Sequence, residues 1–249
     1  MRPMHKFTWT RAAFAAALSL SLAPAAAQAP VATPSIITLV ANAVAVEYAA
    51  ADSDERHSHD VEFPRVAPGQ EFADFETWLA RNSENRIAAR AFRMHLASHG
   101  VDDVLPVWQL VRTSSSWRGC GAQPFEIAPR DKWDNIVRTL QFVERNVVPS
   151  VGRVQAVSGY RNPGLNRCSA GASASAHQGF FALDLTPVNA GVTRGEMIRG
   201  VCAAHAREGK EFRAGLGFYN GRRFHVDTNG FRRWGANGRG ATSPCGGYA

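Results

Sequence analysis

Across residues 72–99 the apolar positions Phe75, Trp78, Leu79, Ile87, Ala91 and Met94 recur at the intervals of one or two amphipathic helices, with Gly100 as a stop. Trp133, Ile136, Val137, Leu140, Val143 and Val147 form a stripe between Pro129 and Pro149 and predict a core-facing helix. A third helix starts at Thr193, where Glu196 completes a capping box, and stops near Gly209. Its inward face carries Ile198, Cys202 and His205, and His205 reads as a core or surface histidine rather than a ligand.

Between these helices the period shortens to two. Residues 154–157 read as a short strand. Over residues 181–186 alternation places Phe181, Leu183 and Leu185 on an apolar face, with Ala182, Asp184 and Thr186 opposite. Tyr219-Asn220-Gly221-Arg222 reads as a two-residue hairpin, since Asn-Gly tolerates the positive φ angles of a type I′ turn. It would join strands at 216–219 and 222–228, the second with Arg223, His225 and Asp227 on one face and Phe224 and Val226 on the other. The pattern predicts an α+β fold: a small antiparallel sheet with flanking helices and a site in its cleft. No internal repeat and no phosphate-binding glycine loop is present.

Composition and charge add the compartment. Lys6 and Arg11 precede an apolar stretch over residues 12–27, and Ala25, Ala27 and Ala29 offer signal-peptidase sites, so residues 1–29 read as a signal peptide. Cleavage after Ala27 is favoured because Pro30 would follow a cut at Ala29. The apolar core is shorter than the roughly 20 residues of a spanning helix, so no stable membrane insertion is expected after cleavage. Residues 30–71 read as a flexible linker, 72–104 as a helical extension and 105–249 as the functional domain. Within the linker, His57-Ser58-His59-Asp60 reads as a polar stretch rather than a chelator.

Cys120, Cys168, Cys202 and Cys245 suit an oxidising compartment such as the periplasm or cell wall. Spacing leaves all three pairings open, and the expectation adopted is Cys120 with Cys168 and Cys202 with Cys245. The chain has 28 basic and 21 acidic residues; Arg2, Lys6 and Arg11 leave with the signal, for a mature net charge of +4. That excess suits anionic wall polymers and is too small and scattered for nucleic acid.

The chemistry concentrates in His177, Asp184 and His225. Two imidazoles and a carboxylate suit zinc, and three protein ligands leave a fourth position for water. The segments Ser158-Gly159-Tyr160-Arg161, Ser175-x-His177 with Asp184 seven residues on, and His225-Val226-Asp227-Thr228 resemble the zinc D-alanyl-D-alanine peptidase family, and within it the murein endopeptidase branch that ends in His-x-Asp-Thr. The resemblance covers roughly residues 105–235. It implies that His177, Asp184 and His225 hold Zn2+, that Arg161 positions or polarises the substrate, and that the reaction is hydrolysis of peptidoglycan stem peptides or cross-links, D,D- or L,D-specific. Tyr160 and Ser175 are candidate substrate contacts, each with a plain structural alternative.

The chain departs from the family pattern in two places. Phe180 stands where Ser-x-His-x-x-Gly-x-Ala-x-Asp writes Gly, with Gly179 one position early. Arg222 and Arg223 occupy the positions where many members place a Glu or His base. Asp227 is then the local candidate for the base, or else a partner that orients His225. A catalytically inactive, zinc-stabilised wall-binding module is the alternative function.

Overall fold

The computed structural model describes residues 66–246; the expected signal segment, the chain up to residue 65 and His57-Ser58-His59-Asp60 lie outside them. In chain order the elements are helices α1 (Phe72–Arg81), α2 (Ser83–Ser98), α3 (Val107–Leu110), α4 (Trp133–Phe142) and α5 (Val148–Val151), strand β1 (Val154–Ser158), α6 (Pro163–Cys168), β2 (Ala182–Pro187) and α7 (Arg194–Phe212). Strands β3 (Gly215–Phe218), β4 (Phe224–Asp227) and β5 (Arg232–Trp234) follow.

Asn82 separates α1 from α2. Its backbone is extended, at φ −146°, and its side chain accepts the Glu84 N–H, so one residue ends the first helix and caps the second. This break resets the helical phase. Phe75, Trp78 and Leu79 are buried as expected, but α2 buries Ala89, Phe92 and Leu96, leaving Ile87 and Met94 64% and 62% exposed. The Trp133-to-Val147 stripe is buried throughout; α4 passes through a π-helical stretch, Val143–Val147, before α5.

Helix α7 carries the predicted capping box, with Thr193 accepting from Glu196 N and Glu196 accepting from Thr193 N. It runs past Gly209 to Phe212 and ends on Arg213 in the left-handed region. Gly209 serves packing instead: a Cβ there would come within about 3.1 Å of the His205 ring and Phe231. His205 is buried, donates from Nε2 to the Ala214 carbonyl at 2.8 Å and stacks on Phe231.

The sheet has the order β1-β2-β4-β3-β5. Its first four strands are antiparallel, but β5 runs parallel to β3, so the sheet is mixed where the sequence predicts an antiparallel one. The hairpin is also looser than expected. Tyr219 donates to the Arg223 carbonyl, so Asn220, Gly221 and Arg222 form the turn, and of these only Gly221 has positive φ, +74°. That is the three-residue loop, with one left-handed position, rather than type I′.

One hydrophobic core runs from Phe75 in α1 through Phe92, Ile136 and Leu140 to Leu183, Leu216 and Val226 on the sheet. The N-terminal helices therefore share the core of the sheet. Gln70, in the last part of the stretch read as a linker, is buried and bonded to Pro124 and Arg112. The disulfides join Cys120 to Cys168 and Cys202 to Cys245.

Candidate metal centre

Strand register builds the site. Ser158, Asp184, His225, Gly217 and Trp234 lie in one row across β1, β2, β4, β3 and β5. The next row holds Ala182, Asp227, Gly215 and Arg232. Directly opposed residues on neighbouring strands put their side chains on the same face. Asp184 and His225, forty-one residues apart, therefore meet on the face away from the core.

The two glycines of β3 are sites of close approach. A Cβ at Gly217 would overlap the Trp234 ring, and one at Gly215 would strike Asp227 and Arg232. Without those atoms Trp234 packs against His225, ring centroids 5.4 Å apart, and Arg232 reaches across to Asp227.

Ser158-Gly159-Tyr160-Arg161 is a bracket for His177. Gly159 has no room for a Cβ beside the Leu110 carbonyl. Its own carbonyl accepts His177 Nδ1–H at 2.7 Å, while Arg161 N–H donates to the His177 carbonyl at 3.2 Å. Arg161 is buried, donating from Nε to Ser158 Oγ at 3.1 Å and from Nη2 to Asp184 Oδ2 at 2.6 Å. Tyr160 turns the other way: it is 3% exposed, packs edge-on against Phe180 and lies beneath Lys132 Nζ. A ring sealed in this way offers no surface to a substrate, so its expected contact role gives way to a core role. Ser175 is half-buried and opens the short turn Ala176–Gly179 that carries His177.

Phe180, in the place of the glycine, takes up the left-handed backbone at φ +57°. The loop thus keeps a conformation that glycine adopts freely and a bulky residue adopts at a cost. Burial of its ring against Phe92 and Tyr160 offsets that strain.

His177, Asp184 and His225 are all buried, with one ligand atom of each within 4.8 Å of the others. His177 Nε2 lies 3.4 Å from Asp184 Oδ1, and His225 Nδ1 lies 3.2 Å from the same oxygen. His177 Nε2 is sealed from solvent without a hydrogen-bond partner. Burial, aided by the nearby Arg161 charge, lowers the His177 pKa to about 4, so the ring is neutral, with its proton on Nδ1 and a lone pair on Nε2. An orphaned lone pair facing a carboxylate and a second imidazole is an arrangement that could hold a metal ion.

The surroundings hold these ligands in place. Asp184 accepts from Arg161, Arg223 and the Tyr219 hydroxyl. Burial opposes its ionisation, but the Arg223 and Arg161 guanidiniums hold its carboxyl well below the usual range. Asp227 accepts His225 Nε2–H at 2.8 Å, both terminal nitrogens of Arg232 and Asn229 N–H, which uses its four lone-pair positions. Burial likewise works against charging His225, yet its bonds to Asp184 and Asp227 raise its pKa. With Nε2 engaged by Asp227, Nδ1 is the His225 atom that faces the triad.

Tyr219, Arg232, Trp234 and the glycines of β3 complete this arrangement, and none of them is among the site candidates that the sequence offers. The available signal was the alternation Gly215-Leu216-Gly217-Phe218, which predicts one bare face. No family model matches the chain, and no curated protein or solved structure matches it.

Proposed function

We propose that the protein is an exported zinc-dependent peptidase that hydrolyses peptidoglycan stem peptides or cross-links, as a murein endopeptidase or D-Ala-D-Ala carboxypeptidase. The observation that carries the metal part is the sealed, unpartnered His177 Nε2 converging with Asp184 and His225. The wall-peptide part rests on the segment resemblance around these residues. Two disulfides suit the oxidising compartment in which such a substrate lies, and no helix among the described residues is long and apolar enough to cross a membrane.

His177, Asp184 and His225 would hold the ion. Zinc supplies Lewis-acid polarisation of a carbonyl and a water acidified toward neutrality. Asp227 orients His225 and fixes its tautomer, and with its lone pairs occupied it acts as a positioning residue rather than as the base. Arg161 and Arg223 hold the Asp184 carboxylate; Arg161, buried on Asp184, positions this ligand in place of the substrate. Tyr219 Oη, its pKa raised by burial and by Asp184, stays a protonated donor at the site. Beside this face a pocket of about 300 Å³ is lined by Val157, Thr186, Asn220, Arg222 and Arg223. Thr186 Oγ1 and Arg223 Nε are buried there without partners, which suits the carbonyl and carboxylate acceptors of a peptide.

One observation favours the second reading, a zinc-stabilised wall-binding module without catalysis. Asp227 has its lone pairs occupied by donors, and the groups that touch Asp184 are arginines, a tyrosine and histidines, none of which is a carboxylate base.

Mass spectrometry of purified peptidoglycan incubated with the zinc-loaded mature protein separates the readings, with His177→Ala as control. Fragments released by the wild type alone establish the hydrolase, and their masses name the bond. Zinc binding without fragments across several cross-link chemistries overturns hydrolysis, and co-sedimentation with the wall then supports the module.

A further inference from the structure

We propose that His95, His99 and Asp134 form a second site for a divalent transition-metal ion of the Zn2+ class, at the junction of α2 and α4. The proposal stands apart from the buried triad and from any hydrolysis there. His95 lies in the last turn of α2, His99 is its C-cap, and Asp134 lies in the first turn of α4. One ligand atom from each residue falls within 4.8 Å of the others.

The His99 imidazole is already set for coordination. His99 Nδ1 donates to the His95 carbonyl at 2.8 Å and lies 3.2 Å from Ser98 Oγ, which leaves the lone pair on Nε2. Such a bond from the second nitrogen is the usual way a ligating imidazole is oriented. The rings of His95 and His99 are 4.6 Å apart, and Trp133 flanks His95 at 5.5 Å. His95 Nε2 is sealed from solvent and 3.1 Å from Asp134 Oδ1, yet makes no hydrogen bond. The same relation holds between His177 Nε2 and Asp184 Oδ1. In both places a nitrogen and a carboxylate oxygen converge on a common point without an aligned N–H between them.

Imidazole with carboxylate favours Zn2+, Cu2+ or Ni2+ over Mg2+ and Ca2+. His99 and Asp134 open on a groove of about 450 Å³, which leaves water access to the remaining positions of an ion. The arginines that line the groove are engaged elsewhere: Arg138 donates to the Glu211 and Phe212 carbonyls, and Arg145 pairs with Glu208. A cation here also meets the carbonyl end of α2, where positive charge is favoured. Once bound, it would tie the end of α2 to the start of α4.

The test is a count of bound zinc. The full chain, stripped of metal, is titrated with Zn2+ against a chromophoric chelator in excess Mg2+, in the wild type, His99→Ala, Asp134→Asn and His177→Ala proteins. His99 and Asp134 are exposed, so their variants keep the fold, which circular dichroism verifies. The expected result is one equivalent fewer in His99→Ala and an affinity at least about ten-fold weaker for that equivalent in Asp134→Asn. Equal zinc in the wild type and His99→Ala overturns the proposal, and an unchanged affinity in Asp134→Asn overturns the carboxylate as a ligand. An equivalent lost in His177→Ala and kept in His99→Ala belongs to the buried triad, so failure of either site shows separately.

Discussion

The buried triad and the α2–α4 cluster contain the same three residue types, two histidines and an aspartate, in opposite surroundings. Asp184 is inaccessible and held by two arginines and a tyrosine; Asp134 has a side chain 80% exposed and no such clamp. In the triad the ligands come from paired strands and from a turn bracketed by Gly159 and Arg161, whereas the cluster relies on one helical turn and the start of another. A carboxylate out of water needs countercharges whether or not an ion is bound, and those countercharges then fix its position. An exposed carboxylate is solvated and needs none. The first site is built into the fold; the second is laid upon it.

The largest expected break in this comparison is in stability. Asp184→Ala leaves Arg161 buried without its partner and is expected to cost about 3–5 kcal/mol in urea denaturation of the metal-free protein. Asp134→Ala is expected to stay within about 0.5 kcal/mol. Similar losses in the two variants would mean that the arginine clamp contributes little.

Phe180 joins the two regions, because its ring packs on Phe92, which packs on Trp133, which flanks His95. Phe180→Gly relieves a left-handed backbone worth about 1–3 kcal/mol but empties a buried ring worth about 3–5 kcal/mol. A net loss of roughly 2 kcal/mol is expected by thermal denaturation, and a gain would show that the strain outweighs the packing. Asp227→Asn should weaken zinc binding by the triad about 10–100-fold and leave the α2–α4 equivalent unchanged, as read by chelator competition. Equal weakening at both sites would show that they are coupled.

The smallest effect concerns His205, buried apart from both groups. Burial lowers its pKa from the ordinary 6.5, so the unfolded chain binds a proton that the folded chain refuses. Its contribution is neutral above that value; stability falls as pH drops through it, down to the folded pKa. His205→Gln should therefore flatten the decline in urea midpoint between about pH 7.5 and 5.5, and an unaltered slope assigns the decline to other groups.

Much of the fold was legible because local rules sufficed. The capping box at Thr193, the Trp133 stripe and the alternation through Phe224 and Val226 each depend on neighbours a few residues away. The misreadings share a cause as well. Ile87 and Met94 sit on a helix whose phase was reset by Asn82, and Gly209 was read as a stop although it makes room for His205 and Phe231. At the site the ligand residues were readable, but their supports were not. Strand register brings Trp234 to His225 and Arg232 to Asp227, Tyr219 reaches Asp184 from just past the end of β3, and Tyr160 leaves the site because the chain turns its ring into the core.

By itself the sequence determined the α+β composition and the faces of β2 and β4, which set Asp184 and His225 opposite the apolar side chains, since side-chain period is a property of each segment alone. Tertiary structure decided the rest. The pairing of β2 with β4 brought Asp184 opposite His225, and the parallel addition of β5 placed Trp234 over Gly217 and Arg232 beside Asp227. Which residues stand opposite one another depends on how distant strands pair, and only the folded sheet specifies that pairing.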